Sequence, residues 1–376
     1  MSSFVLPNSL SFVTTNEYGW KIETVFNIGI IDLIIGNINY LLDLLSTFMF
    51  VFVFRQHIKR SDILGFLKFV IVFSLFEIGY SLIFQYKDYL YFFSAISGNG
   101  SFNGYETNLS GTFISKNGFG FLLFQAIVSS LFLCVYCPRK KWFYISCLSA
   151  FFVINIFTLC KTSIIASAVV LLIFIVALLF KLKSTKKTVF VIVMVVTASL
   201  LVAFGLSFTP VARQIPFVDK FASKFIDLFV ISGGATIRSR ILIWDYALQL
   251  IKGPYIVFGY GRTASAYYLR VCSNFVTFTF HNGLLDILCS FGIFGLLVYV
   301  VSVYYGTKLS CLFDGNKLGR ILIYSIVIGT LLYGLMENVY LFMTSSSVML
   351  SSNIILSTSS ENTTNIKRDC FYEIKI

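Results

Sequence analysis

The sequence predicts an all-α, polytopic membrane protein, a bundle of roughly nine or ten transmembrane helices with one large outer loop. Of its 376 residues, 57% are hydrophobic and the mean hydropathy is +0.85. Only 12% are charged, against roughly 25% in soluble domains. Several uncharged runs reach about 20 residues, the length at which a helix crosses a hydrocarbon core. They are continuously apolar rather than alternating, which favours helices over barrel strands.

The predicted spans follow one another along most of the chain. The first twenty residues contain neither Lys nor Arg, so no separate signal peptide is predicted and the first span is expected to do the targeting. Residues 22–36 are ambiguous. The predicted spans are residues 38–54, 63–84, 119–137, 142–160, 164–180, 188–208, 283–306 and 321–342, with a weaker Ser-rich segment at 343–358.

The segments between the spans predict an orientation. Short connectors rich in Lys and Arg, at residues 54–60, 138–141, 181–187 and 307–320, fall on one side when the spans are threaded in order. The positive-inside rule places that side in the cytoplasm. Residues 85–118 and 209–282 then lie outside. The predicted organisation is an N-terminal bundle (1–208), a large outer loop (209–282), C-terminal transmembrane helices (283–358) and a cytoplasmic tail (359–376).

Cysteine usage predicts neither a disulfide framework nor a zinc site. Four of the eight cysteines fall inside or at the edge of apolar runs, where a thiol behaves as a small hydrophobic group. Cys134 and Cys137 form a CxxC pair, but four-ligand zinc sites need further Cys or His residues nearby.

The large loop 209–282 is strongly basic for a segment on the outer face. It carries eight Lys and Arg residues against three Asp residues. One interpretation is a solvated loop that lies on anionic headgroups. The other is a site for an anionic substrate, because the guanidinium fork matches phosphate oxygens and stays charged.

Residues 236–254 predict an interfacial amphipathic helix within this loop. Apolar residues recur at helical spacing from Ile241 onwards, and Gly253-Pro254 is a stop signal. Thr236 or Ser239 is the expected cap, which puts Arg238 and Arg240 in the first turn. The helix dipole disfavours cations there, so the two arginines favour a phosphate bound at the helix start. The alternative is that they snorkel to lipid headgroups.

Two further features stand between that helix and the next span. In "GYG" (259–261), the glycines allow a tight turn or a close approach of backbone to a ligand, and Arg262 follows directly. His281 and Asn282 then stand at the top of the apolar run that begins at Leu284. An ionisable group at this depth is a candidate for function, and a structural anchor at the helix end is the alternative.

The order of these residues resembles the conserved block of the O-antigen polymerase and ligase superfamily, which comprises Wzy-type polymerases and lipid A-core O-antigen ligases. The resemblance covers about 60 residues. Weaker similarity lies in "SGTFISKNGFG" (110–120) and "LCKTSIIA" (159–166), where Lys161 occupies a place that the family often fills with arginine. The main block consists of an arginine four residues before a tryptophan (Arg240, Trp244), Pro254, "GYG" (259–261), "HN" (281–282), Asp286 and "FGIFG" (291–295).

The resemblance implies a membrane-embedded glycosyltransferase at the periplasmic face of the bacterial inner membrane, acting in lipopolysaccharide biosynthesis. The implied donor and acceptor are oligosaccharides on undecaprenyl pyrophosphate, and the growing glycan moves to the next lipid-linked repeat unit. Expected partners are the lipid bilayer and, in the same pathway, a chain-length regulator and a flippase. No nucleic acid is expected.

That reaction assigns roles to the candidate residues. Negative charge grows on the departing diphosphate, so arginines that neutralise it lower the barrier and no metal or other cofactor is expected. His281 is the predicted general base, since an imidazole ordinarily titrates near pH 6.5. Arg240 is the second catalytic residue, Asn282 supports the acceptor, and Glu337 either pairs with a loop arginine or holds the acceptor sugar. The predicted diphosphate-binding residues are Arg238, Arg240, Arg262, Arg270 and Lys161.

Three other functions stay open at this stage. An O-antigen ligase and a related exopolysaccharide or capsule polymerase use the same donor chemistry, so the residues do not separate them from a repeat-unit polymerase. A transporter of lipid-linked oligosaccharides would also carry basic residues near the membrane. Internal repeats and charges within the spans are typical of transporters, whereas this chain shows no repeat and concentrates its charges outside the spans.

Overall fold

The fold of the protein is helical, as predicted. The computed structural model describes residues 9–15, 21–27, 60–90, 109–113, 115–181, 235–251, 253, 255–261, 264–267, 269, 280–313 and 317–337, with the single residues 38, 209, 211, 214 and 219. The helices are α1 (Arg60–Phe84), α2 (Lys116–Tyr136), α3 (Lys141–Phe157), α4 (Lys161–Lys181), α5 (Ala235–Leu250), α6 (Tyr255–Phe258), α7 (Gly283–Phe313) and α8 (Lys317–Gly334).

A β-hairpin precedes the helices, which the all-α prediction did not include. Strand β1 (Ser9–Thr15) pairs antiparallel with β2 (Lys21–Asn27), with Ser9 opposite Asn27 and Thr15 opposite Lys21. Both strands are rich in Thr, Val and Phe and have seven residues each. They are too short for the search for long apolar runs to detect, although their composition is typical of strands.

Five helical segments in the described part of the chain are long and apolar enough to cross a membrane. They are Leu64–Phe84, Lys116–Tyr136, Pro138–Phe157, Lys161–Leu178 and Gly283–Val301, with a shorter apolar helix at Leu318–Gly334. Each coincides with a predicted span. The predicted spans 188–208 and 343–358 lie outside the described residues, as does 38–54 apart from Ile38. The chain is therefore a multi-pass helical membrane protein.

Several predicted boundaries are wrong. The span predicted to reach residue 160 ends at Phe157, because Leu159 takes a left-handed backbone (φ 51°) and Thr158 bonds to Asn155 and Cys160. The predicted cytoplasmic connector 307–320 is mostly helical, since α7 continues to Phe313 and α8 begins at Lys317. The polar residues of this connector predict a loop, yet Lys and Leu sustain a helix well.

The chain divides into two compact units. One comprises Met1–Arg55, Ala235–Gly306 and Leu331–Met349, and the other comprises Gln56–Gly234, Thr307–Thr330 and Leu350–Ile376. In the second unit α2 packs against α1, α3 and α4. In the apolar window of α2, 72% of the residues are buried. In the corresponding windows of α1, α3 and α4 the buried shares are 33%, 22% and 28%. Helix α2 is therefore the centre of the unit, and the others offer most of their surface to lipid.

Small residues allow α2 and α4 to approach closely. Ser115 caps α2 by accepting from the backbone N–H of Gly118. A Cβ atom on Gly120 would lie 2.9 Å from the Cβ atom of Cys160, and Ser163 donates to the Gly120 carbonyl oxygen. Contacts of this kind are typical of helix packing in membranes. The segment 110–120 is thus a structural element of the second unit.

The carboxylate of Glu77, inside the α1 span, binds the turn that precedes α2. Its two oxygens accept from the backbone N–H of Thr112 at 2.9 Å and from the Thr112 hydroxyl at 2.7 Å. Glu77 is 1% exposed, so these bonds replace the hydrogen bonds to water that the carboxylate loses on burial. Nearby, the Tyr89 phenol bonds to the Ser81 hydroxyl at 2.8 Å, and burial raises the pKa of Tyr89 above its ordinary value.

Candidate functional site

The carboxylate of Glu337 joins Arg240 to His281. Arg240 Nη2 lies 3.0 Å from Glu337 Oε1, and His281 Nδ1 lies 3.5 Å from Glu337 Oε2. The side chains of Arg240 and Glu337 are 16% and 14% exposed, whereas His281 is 34% exposed. All three residues belong to the same compact unit. A guanidinium, a carboxylate and an imidazole thus form one cluster, and its imidazole is the most accessible member.

Helix α5 supplies Arg240, but from a different turn than the sequence predicted. The helix begins at Ala235 and ends at Leu250, so Arg240 is its sixth residue and lies in the second turn. The dipole acts mainly on the first turn, and the position of Arg240 is therefore set by Glu337 instead. The predicted C-terminus is also wrong: Ile251 N–H bonds to the Leu248 carbonyl oxygen and closes the helix before Lys252 and the predicted stop.

The four-residue spacing of Arg240 and Trp244 puts both side chains on one face of α5. Trp244 Nε1 donates to the carbonyl oxygen of Phe280 at 3.2 Å. Phe280 is buried in a cluster with Ile243 and Ala247 of the same helix. One face of α5 therefore contacts Glu337, the partner of the imidazole, through Arg240. The same face contacts the backbone that immediately precedes His281 through Trp244.

His281 has a left-handed backbone, with φ at 47°. This conformation costs a residue with a Cβ atom roughly 1–2 kcal/mol, and such strain is concentrated at functional sites. The next residue, Asn282, caps α7, because its Oδ1 accepts from the backbone N–H groups of Leu284 at 3.0 Å and Leu285 at 3.1 Å. The helix anchor that the sequence analysis considered for His281 is thus provided by Asn282.

The "GYG" segment packs against a break in α7. Gly292 has non-helical angles (φ 67°, ψ −167°), so the helical hydrogen bonds are interrupted there. The backbone N–H groups of Tyr260 and Gly261 donate to the carbonyl oxygens of Cys289 at 2.9 Å and Ser290 at 2.8 Å. The two N–H groups of the loop thereby supply hydrogen-bond partners for backbone carbonyl oxygens next to the break. Buried carbonyl oxygens in apolar surroundings require such partners.

The glycines make this contact possible. A Cβ atom on Gly259 would lie 2.4 Å from the backbone nitrogen of Phe291, and one on Gly292 would lie 2.3 Å from the Val257 carbonyl. The close approach that the sequence analysis predicted for "GYG" is therefore an approach to the chain's own helix. Since Cys289 and Ser290 lie inside the apolar window Gly283–Val301, residues 255–261 lie beside a span rather than above it.

Glu337 lies just beyond α8, whereas the sequence placed it inside a span that continued to residue 342. Helix α8 ends at Gly334, and the backbone N–H of Glu337 donates to the Tyr333 carbonyl oxygen in the closing turn. Glycine has a low helix propensity, which accounts for the earlier end. The pairing with Arg240 is one of the two alternatives that the sequence analysis gave for Glu337.

The remaining predicted site residues are placed as follows. Lys161 is the first residue of α4 in the second unit and is half-buried. Arg238 lies within α5, and its side chain lies outside the described residues, as do Arg262 and Arg270. Their binding of a diphosphate stays a prediction. Sequence reasoning missed Met336, whose sulfur is 3.6 Å from Arg240 Nη1, since only its neighbour Glu337 carries a charge.

The cluster can perform proton transfer and anion binding. A carboxylate only accepts hydrogen bonds, so contact with Glu337 favours the tautomer with a proton on His281 Nδ1 and the acceptor lone pair on Nε2. Arg240 has five donor N–H groups in a fixed fork, and its contacts with Glu337 and Met336 involve Nη2 and Nη1. Among the described residues no group of three or more His, Cys, Asp or Glu side chains is arranged to hold a metal ion.

Comparison with known proteins gives a match to a protein family. Residues 145–300 match the family model Wzy_C, described as O-Antigen ligase. Neither the curated proteins nor the solved structures contain a match to the chain. The matched region includes Arg240, "GYG" and His281, which carried the resemblance in the sequence. Over residues 145–300 the chain thus matches the O-antigen ligase family model, which is consistent with the O-antigen polymerase and ligase superfamily.

Proposed function

We propose that the protein is an O-antigen polymerase of the inner membrane, which transfers a growing glycan from undecaprenyl pyrophosphate to the next lipid-linked repeat unit at the periplasmic face. The observation that carries the proposal is the cluster of Arg240, Glu337 and His281 within a chain that matches the O-antigen ligase family. Glycosyl transfer from a lipid diphosphate needs a cation for the leaving group and a base for the acceptor, and the cluster contains both.

His281 acts as the general base in this proposal. Its Nε2 takes the proton from the acceptor hydroxyl while the hydroxyl oxygen bonds to the anomeric carbon. The bond from that carbon to the diphosphate oxygen breaks, and the diphosphate leaves with the electron pair. Glu337 holds Nδ1 and stabilises the imidazolium that forms. The distance of 3.5 Å between Nδ1 and Oε2 is long for a hydrogen bond, and such contacts tighten when substrate binds.

Arg240 stabilises the departing diphosphate through the donors of its fork. Its pairing with Glu337 makes the two side chains formally neutral, so the net positive charge must come from additional residues. Arg238, Arg262 and Arg270, which belong to the same unit as the cluster, are the proposed sources. With the leaving group neutralised in this way, the proposed reaction is metal-independent. Asn282 uses Oδ1 to cap α7, and its amide nitrogen is the part proposed to support the acceptor.

The proposed location on the periplasmic side rests on the positive-inside rule. Reporter fusions test it directly: an alkaline phosphatase fused after residue 214 should be active, and one fused after residue 140 should be inactive. The opposite pattern would place the loop 209–282 in the cytosol and would overturn the proposal of a reaction at the periplasmic face.

An O-antigen ligase is the second candidate, favoured by the description of the matching family model. It would use the same donor and the same cluster but transfer the glycan to lipid A-core. A chromosomal deletion separates the two. Lipopolysaccharide with core plus a single repeat unit supports the polymerase. Bare core with long glycan retained on its lipid carrier would support the ligase and overturn our assignment.

A further inference from the structure

A cavity whose lining includes three basic side chains lies in the second unit, whereas the cluster described above belongs to the first unit. Its volume is about 540 Å³, and its lining includes Lys68 of α1 together with Arg139 and Lys140 of the turn between α2 and α3. Ile71 and Tyr144 form its floor and are 1% and 3% exposed. None of the described residues that line it is acidic. We propose that this cavity binds one anionic phospholipid, with its phosphate between the three basic side chains.

The cavity lies at the depth of lipid headgroups. Lys68 is the fifth residue of the span Leu64–Phe84, so its backbone is about 6 Å below the start of that span. Arg139 and Lys140 lie at the start of the segment Pro138–Phe157. Trp142 lines the same cavity and is 79% exposed. Exposed tryptophan next to basic residues is typical of the membrane interface.

The basic groups are held on rigid elements. Pro138 begins a short 3₁₀ turn that contains Arg139 and Lys140, and the Lys140 N–H donates to the Cys137 carbonyl oxygen at 3.1 Å. Proline fixes one backbone angle of this turn. Lys68 projects from the interior of α1. Little backbone conformational entropy is therefore lost when an anion binds, which favours a defined site over a diffuse basic surface.

The apolar wall of the cavity indicates a lipid rather than a free phosphate. Val72 lines the cavity and is 63% exposed. Phe76, four residues further along the same face of α1, is 62% exposed. An acyl chain can lie along this face while the headgroup occupies the basic end. Basic pockets between transmembrane helices bind anionic headgroups in this manner. The prediction that 138–141 faces the cytoplasm assigns the lipid to the inner leaflet.

The test is quenching of Trp142 fluorescence in the full-length protein in detergent micelles. The probe is phosphatidylglycerol brominated on its acyl chains, and brominated phosphatidylcholine is the comparison lipid. The signal of Trp142 is obtained by subtracting that of Trp142→Phe. We expect phosphatidylglycerol to quench at much lower concentration than phosphatidylcholine. Equal quenching by the two lipids would overturn the proposal.

A matched pair of double variants tests the basic residues. Arg139→Ala with Lys140→Ala should weaken phosphatidylglycerol binding about 25-fold, since each basic side chain near an anionic headgroup contributes about fivefold. Lys186→Ala with Lys187→Ala, in another predicted cytoplasmic connector, removes the same charge and should leave binding unchanged. Equal weakening in the two would show that only total charge matters and would refute the site.

Two further arms keep the test decisive. Lys68→Ala should weaken binding about fivefold, and it remains informative if the double variant does not fold. The exchange Arg139→Lys with Lys140→Arg retains the charge and should bind as the wild type does. Inorganic phosphate should not displace the lipid; displacement at equal concentrations would assign the cavity to a free phosphate and overturn the lipid assignment. The inference does not depend on the reaction proposed above.

Discussion

The indole of Trp244 donates a hydrogen bond to the carbonyl oxygen of Phe280 at 3.2 Å, which fixes the residue next to His281 against α5. Because Arg240 lies one turn earlier on the same helix, α5 determines the position of both ends of the cluster. Arg240 and Trp244 of the sequence motif thus make their two contacts from one face of α5. Their fixed spacing follows from the helical repeat.

The first prediction concerns the two residues assigned to the chemistry. Arg240→Ala should reduce glycan polymerisation by at least about 100-fold, the effect of removing one aligned donor from a developing charge. His281→Asn should have a similar effect, because general bases contribute about 10²–10⁴-fold. Asparagine tolerates the left-handed backbone of residue 281, so this variant removes the base without adding strain.

The measurement is the lipopolysaccharide ladder of a deletion strain complemented with each variant, at equal amounts of protein in the membrane. His57→Asn is the matched control, since His57 lies in a predicted cytoplasmic connector and should leave the ladder unchanged. A full-length ladder from Arg240→Ala or His281→Asn would refute the assignment.

The second prediction is that Glu337 and His281 act as one unit. Glu337→Gln retains the shape of the side chain but removes the charge that both Arg240 and His281 contact. We expect it to reduce the rate strongly. The double variant that combines Glu337→Gln with His281→Asn should reduce the rate scarcely more than the single variant with the larger effect. The reason is that the effects of residues that act together are not additive. Transfer rates with a lipid-linked substrate measure this, and additive losses would show that the contact has no catalytic role.

The third prediction isolates the Trp244 hydrogen bond. Trp244→Phe keeps an aromatic ring in the core cluster but removes the donor to Phe280. The free energy of unfolding should fall by about 1 kcal/mol, and transfer should slow because His281 loses its support. Trp142→Phe, at a site that is 79% exposed, should change neither quantity. Unfolding in denaturant and the glycan ladder measure the two effects, and unchanged transfer in Trp244→Phe would remove its positioning role.

The sequence predicted most of the helices because hydropathy is a local property. It also singled out Arg240, His281 and Glu337, which the structure brings together in one cluster. It did not predict that "GYG" packs at the break at Gly292, since this contact joins two backbone segments about 30 residues apart and no side-chain pattern marks it. The early end of α8 at Gly334 was missed because the surrounding residues remain apolar.

The fourth prediction separates a steric clash from backbone strain. Gly259, Gly292 and Gly253 all have positive φ angles of 70°, 67° and 61°. A Cβ atom meets backbone within 2.4 Å at the first two, and nothing lies within 4 Å at the third. Gly253→Ala should therefore cost about 1 kcal/mol from strain alone. Gly259→Ala and Gly292→Ala should prevent folding of the first unit.

The yield of monodisperse protein after size-exclusion chromatography in detergent measures these effects. Gly253→Ala serves as the control, because it shares the strained backbone without the clash. Similar yields for all three variants would mean that the loop 255–261 does not pack at the break in α7.

The fifth prediction separates capping from catalysis at Asn282. Its Oδ1 accepts from two backbone N–H groups at the start of α7, so Asn282→Ala should lower the free energy of unfolding by about 1 kcal/mol. Asn282→Ser should restore the cap, because a hydroxyl accepts from the same N–H groups, but it cannot replace the amide nitrogen. If the amide supports the acceptor, Asn282→Ser should fold normally and still raise the KM for the acceptor, with a smaller effect on kcat. A serine variant with normal stability and normal KM would limit Asn282 to capping.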